Sequence, residues 1–185
     1  MSDKHYNKFK RLFDVLSSCI GLIVLSPLLL VISLMIYWQD RGSVFYFQKR
    51  VGIYRQEFTL IKFRTMKNNN ITRLGKWLRA TGIDELPQLI NVLKNEMSIV
   101  GPRPLTKEDV ARLGWNEYRY QYRWNIFPGI TGLAQLYGGY GARMSCYLDR
   151  MYSKRKSFMF DLLIVFYSVF VNVIGKKHVR SFLRR

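Results

Sequence analysis

The pair Asp84-Glu85 has the residue types and the local setting of a reactive carboxylate. It follows the turn residues Thr81-Gly82 and stands just ahead of Pro87, a residue favoured in the first turn of a helix. The free N–H groups and the positive dipole at that end would keep Asp84 ionised, as a nucleophile must be. An acidic helix cap explains the same pattern, so the pair alone leaves both interpretations open.

Four cations on other segments favour the catalytic interpretation: Lys62, Arg64, Arg79 and Arg103. Arg103 stands between two prolines and has little conformational freedom to lose when it binds an anion. A guanidinium suits bidentate contact with phosphate. A carboxylate nucleophile among arginines therefore suits attack on a diphosphate, with Mg²⁺ held by Asp84 and the substrate phosphates.

The elements that must position these groups are short. Aromatic and β-branched residues on both sides of Gly52 predict a hairpin over residues 42–63, with Lys62 and Arg64 on one face of its second strand. Those two cations are either an anion site or simply solvated. Helical spacing predicts helices over 71–79, from Pro87 to Lys94, and over 112–124. Residues 101–104 and 128–132 are predicted to be loops.

An uncharged run of 24 residues, from Val15 to Trp38, precedes these elements. As a helix it would be about 36 Å long, enough to cross a hydrocarbon layer of about 30 Å. The run is longer than a signal-peptide core and no small-residue cleavage site follows it, so we expect it to remain in the mature protein.

Ser26-Pro27 divides this run near its middle. Proline removes a backbone donor and kinks a helix, and the Ser26 hydroxyl can satisfy the freed carbonyl. Both flanks are basic, which favours the cytoplasmic side for both ends. We therefore expect a re-entrant membrane helix; a straight span with a minor kink is the alternative. The basic flanks are Lys4, Lys8, Lys10 and Arg11 before the run, and Arg41, Lys49, Arg50 and Arg55 after it.

The segment from Phe158 to Ile174 is apolar except near Asp161, and it is short for a membrane span. An interfacial amphipathic helix is expected there, and a second span is the alternative. The basic tail beyond it would face anionic lipid head groups: Lys176, Lys177, Arg180, Arg184 and Arg185.

Composition limits the partners. The formal charge of +18 over 185 residues suits an anionic membrane surface, a phosphorylated substrate or nucleic acid. Aromatic residues alternate with Arg between Trp115 and Trp124, but no nucleic-acid recognition motif accompanies them, so we expect no nucleic-acid partner. Cys19 and Cys146 lack metal-ligand spacing and are expected to be free thiols.

Several motifs together resemble the bacterial sugar transferase family, the small monotopic phosphoglycosyl transferases. The principal one is the stretch from Ile83 to Leu93, followed by 97–104, which ends in Gly101-Pro102-Arg103-Pro104. Further matches cover nearly the whole chain: Lys10-Arg11-Leu12-Phe13-Asp14, Ser26-Pro27, Gly42-Ser43-Val44-Phe45, Lys62-Phe63-Arg64-Thr65-Met66, Pro128-Gly129-Ile130-Thr131-Gly132 with Ala134-Gln135, and Leu148-Asp149. As a set these motifs are specific.

The resemblance implies an α+β, mostly helical, monotopic membrane protein. Residues 1–41 would form the re-entrant helix, and 42–185 a catalytic domain on the cytoplasmic face of the bacterial inner membrane. Asp84 would attack the β-phosphate of a UDP-sugar, release UMP and hold a phosphosugar covalently. Polyprenyl phosphate would then accept it, in the first membrane step of glycan synthesis. Glu85 would assist the deprotonation of the acceptor phosphate or orient the metal. A homodimer is compatible with the sequence.

By the same resemblance, Arg79 and Arg103 are phosphate-binding residues, Lys62 is the basic residue at the strand end, and Asp149 belongs to the active-site region. The chain departs from the family in a short loop at 67–70 and in Asn95-Glu96, where Gly-Asp is usual. A non-catalytic adaptor and a lipid-phosphate phosphatase with an aspartyl intermediate are the rival hypotheses.

Overall fold

The computed structural model describes residues 3–137 and 141–174. The helices are α1 Asp3–Asp40, α2 Arg73–Thr81, α3 Gln88–Leu93, α4 Lys107–Arg112, α5 Gln121–Trp124, α6 Leu133–Leu136, α7 Gly141–Arg155 and α8 Phe158–Ile174. The strands are β1 Phe45–Val51, β2 Glu57–Phe63, β3 Met66–Lys67, β4 Asn70–Ile71, β5 Ser98–Val100 and β6 Gly129–Thr131. This confirms a mostly helical α+β fold with small sheets. The predicted basic tail lies outside the described residues.

The predicted hairpin is present as the antiparallel pair β1–β2, in register from Phe45 opposite Phe63 to Val51 opposite Glu57. Residues directly opposite in such a pair share a face. Lys62 therefore lies on the same face as Tyr46, and its ammonium sits 5.4 Å from the centre of the Tyr46 ring. Phe63, on the other face, is buried against α1 and α2.

Helix α3 is locked onto β2 by the buried side chain of Asn91. Its Oδ1 accepts from the N–H of Ile61 at 3.0 Å, and its Nδ2 donates to the carbonyl of Thr59 at 2.8 Å. Nδ2 also lies 2.6 Å from Glu96 Oε2. The unusual Asn95-Glu96 pair therefore retains a carboxylate with a structural role. The backbone groups of Ile61 and Thr59 on the edge of β2 have their hydrogen-bond partner in α3.

The two segments predicted to be loops, 101–104 and 128–132, pack backbone on backbone, but residues 129–131 form strand β6 rather than a loop. Strands β5 and β6 are parallel, with Ser98 opposite Gly129 and Val100 opposite Thr131. A Cβ on Gly101 would collide with the carbonyl oxygen of Phe127, and one on Gly132 would collide with the carbonyl oxygen of Gly101. Glycine at these positions permits the close approach that holds the Pro-Arg-Pro segment against β6.

Helix α1 is assigned as one helix from Asp3 to Asp40, without interruption at Ser26-Pro27. The predicted local chemistry is nevertheless present. Proline at position 27 frees the carbonyl of Ile23, and the Ser26 hydroxyl donates to that oxygen at 2.7 Å. Among the described residues, α1 is the one helix long and apolar enough to cross a membrane, over Asn7–Gln39, and an 18-residue window within it has a mean hydropathy of 2.8.

The basic residues before the apolar run are not all free flanking charges, as the charge pattern had suggested. Lys10 is buried and pairs with Asp161 of α8 at 2.8 Å. Arg11 donates to the carbonyls of Val92 and Leu93 at the end of α3, at 2.7 and 3.2 Å. Asp14 accepts from the N–H of Ile99 in β5 at 3.1 Å. This motif therefore attaches α1 to three other elements, namely α8, α3 and β5.

The helix predicted over residues 112–124 is interrupted at residues 113–117. Helix α4 ends at Arg112, and Gly114 adopts a left-handed φ of 67°. That turn sends Trp115 into a buried cluster with Val51, Val110 and Trp124. Helical structure resumes in the 3-10 turn Tyr118–Tyr120 and in α5. Burial of Trp115 thus overrides the helical spacing.

Candidate active site

Asp84 lies in the 3-10 turn Ile83–Glu85, between α2 and α3. The chain enters this turn through Gly82, which ends α2 with a left-handed φ of 76°. Ile83 packs against the apolar cluster formed by α1, α2 and β2. The turn is therefore anchored just before Asp84, which is buried at 6% exposure.

The pKa of Asp84 is raised, mainly by burial and secondarily by the neighbouring Glu85 carboxylate. Lys62 and Arg79 oppose this shift. The helix dipole was expected to favour the ionised form, but α3 begins only at Gln88. Desolvation therefore decides the direction of the pKa shift. Here burial destabilises the charged carboxylate more than the nearby cations stabilise it. A raised pKa also makes the ionised carboxylate a better nucleophile.

Two predicted cations approach Asp84 from different elements. Lys62 comes from the end of β2 and Arg79 from the last turn of α2. Burial lowers the pKa of Lys62, while Asp84 and Glu85 act in the opposite direction. Arg79 is oriented by its Nε, which donates to Thr65 Oγ1 at 2.8 Å. Both cations are thus fixed close enough to act on the charge of Asp84.

A polar cleft adjoins this turn. Glu85, Lys62 and Arg103 are among its lining residues, and Arg103 Nη2 lies 3.8 Å from Glu85 Oε1. The Arg103 side chain is 56% exposed, so its remaining donors face solvent in the cleft. The complete lining is Arg50, Leu60, Lys62, Glu85, Gln88, Arg103, Pro104, Gly129, Ile130 and Gln135. Such a cationic cleft beside a carboxylate suits a diphosphate substrate.

Two predicted residues lie elsewhere. The Arg64 guanidinium packs over Gly42, just after the end of α1, where a Cβ would collide with it. Asp149 is buried at 3% exposure on α7 and pairs with Arg123 of α5. Neither side chain is among those lining the cleft; Asp84 and Arg79 do not line it either, but Asp84 adjoins it through Glu85. Ser26 and Pro27 lie within α1.

Three lining residues were missed by the sequence reasoning: Arg50, Gln88 and Gln135. Arg50 pairs with Phe58 across the hairpin, so it shares the face of Lys62. Extending the period of two to the first strand would have found it. Burial lowers the pKa of Arg50, and the charge of Arg103 adds to this effect. Gln88 and Gln135 carried no comparable signal.

Comparison with known proteins gives a consistent picture. The profile of a family described as bacterial sugar transferase matches residues 5–175. The chain is 37% identical, over 89% of its length, to a UDP-N-acetylgalactosamine-undecaprenyl-phosphate N-acetylgalactosaminephosphotransferase of Aeromonas hydrophila. It is 36% identical, over 91% of its length, to a UDP-glucose:undecaprenyl-phosphate glucose-1-phosphate transferase of Klebsiella pneumoniae.

The extent of these matches differs. The aligned region makes up 43% of the Aeromonas protein and 41% of the Klebsiella protein, so the chain spans less than half of either. It is also 34% identical, over 86% of its length and 83% of the relative, to the exopolysaccharide production protein ExoY of Sinorhizobium fredii.

Proposed function

This chain belongs to the bacterial sugar transferase family, and from that premise we propose that it transfers a sugar phosphate from a UDP-sugar to undecaprenyl phosphate. The observation that carries the proposal is Asp84, a buried carboxylate of raised pKa beside a cleft lined by Arg50, Lys62 and Arg103. Two relatives named above act, by their names, on undecaprenyl phosphate with UDP-linked sugars.

The proposed reaction has two steps. An Asp84 carboxylate oxygen attacks the β-phosphorus of the UDP-sugar, and the bond from that phosphorus to the bridging oxygen breaks, so UMP leaves with the electron pair. The phosphosugar is then held on Asp84 as a mixed anhydride. A phosphate oxygen of the polyprenyl phosphate attacks the same phosphorus and returns Asp84 as a carboxylate. The product is a polyprenyl diphosphosugar, which begins glycan synthesis on the lipid.

The other charged groups of the site neutralise the phosphate charge and orient the reacting groups. Lys62 and Arg79 act on Asp84 from two sides, and Arg103 reaches the cleft from a fixed loop. These cations stabilise the charge that moves onto the leaving phosphate. Glu85, partly exposed and 3.8 Å from Arg103, is placed to take a proton from the acceptor phosphate or to orient a metal.

The donor groups fit Mg²⁺. Magnesium commonly binds one or two carboxylates together with substrate phosphates, and Asp84 and Glu85 are adjacent carboxylates beside the proposed diphosphate site. No cluster of three or more His, Cys, Asp or Glu residues occurs in the described ranges, so the substrate would complete the ligand set. When bound, Mg²⁺ would reduce the negative charge of the diphosphate.

We further propose that α1 is re-entrant rather than spanning. Contacts with the catalytic domain recur at Arg11, Asp14, Gly21 and Ile32, where Gly21 is covered by Leu89. The largest interval between them is from 21 to 32, about 17 Å of helix, which is much less than the hydrocarbon thickness of about 30 Å. A bilayer therefore does not fit between these contacts, which supports placing both ends on the cytoplasmic face of the inner membrane.

Exposed apolar side chains mark the proposed membrane surface. On α1, Ile23, Val24 and Trp38 are largely exposed, and Met159 and Phe166 are exposed on α8. Exposed apolar surface of this extent is unusual for a soluble protein and is typical of lipid contact. Helix α8 packs on the catalytic core through Ile164, so it would lie in the interface rather than across the membrane.

The experiment measures UMP release by detergent-extracted protein with undecaprenyl phosphate, Mg²⁺ and a panel that includes UDP-glucose and UDP-N-acetylgalactosamine. We expect one donor to give UMP, and Asp84→Asn to lower the rate by a factor on the order of 10³ or more. Glu117→Gln, on an exposed carboxylate paired with Arg119, is the matched control. Full activity of Asp84→Asn would remove Asp84 as the nucleophile.

A second measurement tests the covalent step. Without acceptor, we expect one equivalent of UMP per protein and a gain of one phosphosugar in the protein mass, both absent in Asp84→Asn. Release of inorganic phosphate from polyprenyl phosphate without any UDP-sugar would instead favour the phosphatase hypothesis.

A further inference from the structure

The segment that carries Arg103 is held through four consecutive carbonyl oxygens. That of Pro102 accepts from the N–H of Gly129 at 2.9 Å, and that of Leu105 from the N–H of Val51 at 2.8 Å. Between them, the carbonyl of Arg103 accepts from Nη2 of Arg123, and that of Pro104 from Nη1 of Arg50 at 3.2 Å. The outer two carbonyls of this segment therefore accept from backbone N–H groups, and the inner two accept from arginine side chains.

Proline explains why side chains are needed there. Pro102 and Pro104 have no N–H, so this segment cannot form a regular ladder with either neighbour. Its carbonyls still need donors where they are removed from water. A long guanidinium supplies such a donor across a distance that a neighbouring backbone does not reach. The orientation of the segment thus depends on where those guanidinium groups are fixed.

Arg123 is fixed on every side. Its Nη1 pairs with the carboxylate of Asp149, and the ion pair is buried, with both side chains 4% exposed. Its Cζ lies 4.9 Å from the ring centre of Trp115 and 5.7 Å from that of Trp124. The two indole rings and the carboxylate thus fix the orientation of the guanidinium. Its Nη2 donates to the carbonyl of Arg103.

We propose that Arg123 is a positioning residue that fixes Arg103 for phosphate binding, and that Asp149 serves the reaction by holding Arg123. The proposal rests on the function proposed above. It assigns Asp149 a role through Arg123, where the resemblance implied only a place in the active-site region. The backbone of Arg103 is fixed while its side chain remains 56% exposed in the cleft, which is the combination that a preorganised phosphate ligand requires.

The test must separate positioning from simple stabilisation, because Arg123→Met alone leaves Asp149 buried without its partner. The informative variant is therefore Arg123→Met with Asp149→Leu, which removes both charges. We expect it to recover most of the thermal stability lost by Arg123→Met but to keep kcat/KM for the UDP-sugar about 10- to 100-fold below wild type. Arg119→Met, on an exposed arginine of the same segment, is the control.

Arg123→Lys provides a milder variant. A lysine can keep the charge pair with Asp149, but its single ammonium cannot reproduce the fork that also reaches the Arg103 carbonyl. We expect near-normal stability and a clear loss of kcat/KM. Recovery of kcat/KM together with stability in the double variant, or full activity of Arg123→Lys, would show that the ion pair only stabilises the fold.

Hydrogen exchange gives a readout that does not depend on the reaction. We expect peptides covering residues 99–106 to exchange faster in the double variant and in Arg123→Lys, with α3 peptides unchanged. Unchanged exchange at 99–106 would overturn the positioning role. If wild-type protein released no UMP with any donor, the proposed function would fail, whereas this measurement would still decide whether Arg123 holds the segment.

Discussion

Two buried aspartates in this molecule have opposite surroundings. Asp161, at the base of α8, accepts from Lys10 Nζ and from the Tyr152 hydroxyl, both at 2.8 Å. Asp84 lies near Lys62 and Arg79, yet burial outweighs them and raises its pKa. Arg79 directs its Nε to Thr65 instead. The carboxylate that joins helices is neutralised, and the one that we propose to react is incompletely compensated.

This difference separates stability from reactivity. A fully hydrogen-bonded buried ion pair fixes a geometry, and removal of one partner leaves an uncompensated charge. A poorly compensated carboxylate costs stability but has high basicity for attack on phosphorus. Loss of a charge should therefore lower the stability of the protein at the Asp161 site and raise it at the Asp84 site. Three predictions test this comparison.

The largest expected effect is on Asp161. Lys10→Met should lower the unfolding free energy by about 3 to 5 kcal/mol, because it leaves Asp161 buried without its cation. Chemical unfolding in detergent measures the loss. Lys8→Met, on an exposed residue of the same helix, should change little. Lys10→Met combined with Asp161→Leu should recover most of the loss, and failure to recover would mean that packing rather than charge is responsible.

Asp84→Asn should have the opposite effect on stability. Burial raises the folded-state pKa above 3.8, so the folded protein binds the proton before the unfolded chain does. The ionised carboxylate therefore lowers stability above the folded pKa, and the variant should be more stable than wild type at neutral pH. The gain should disappear as the pH falls to 3.8. Unfolding midpoints of both proteins across pH measure it, and a loss of stability at neutral pH would contradict the comparison.

The smallest effect is a shift of the pH profile. The negative charge of Glu85 contributes to the raised pKa of Asp84, so Glu85→Gln should lower that pKa. The acid limb of kcat/KM against pH, measured by UMP release, should move to lower pH whatever happens to the maximal rate. Glu117→Gln should leave the limb in place. A shift to higher pH would mean that another group controls it.

Local sequence signals predicted much of the site. The position of Asp84 between Gly82 and Pro87 predicted a turn, and the alternating pattern around Gly52 predicted the hairpin that carries Lys62. The bond from Ser26 to the carbonyl of Ile23 was predicted from the donor missing at Pro27. Each of these depends on residues close in sequence, where backbone chemistry is decisive.

Long-range partners could not be predicted in this way. The basic residue Lys10 suited a membrane flank, but its partner Asp161 lies 151 positions away. Asp149 was assigned to the active-site region by resemblance, and its partner Arg123, 26 positions away, carried no signal of the pairing. Gly114 and the burial of Trp115 ended a helix that local spacing had favoured. A single sequence does not show which distant charges or rings meet.

The pair between Lys10 and Asp161 also sets an order in time. A ribosome adding about 5 to 20 residues per second needs roughly 8 to 30 s to proceed from position 10 to position 161. For most of that interval, after Asp40 has been added, α1 is already made while the Asp161 carboxylate that pairs with it is not. The first helix is therefore complete while Lys10 still lacks its partner, and this ion pair can form only after α8 has been synthesised.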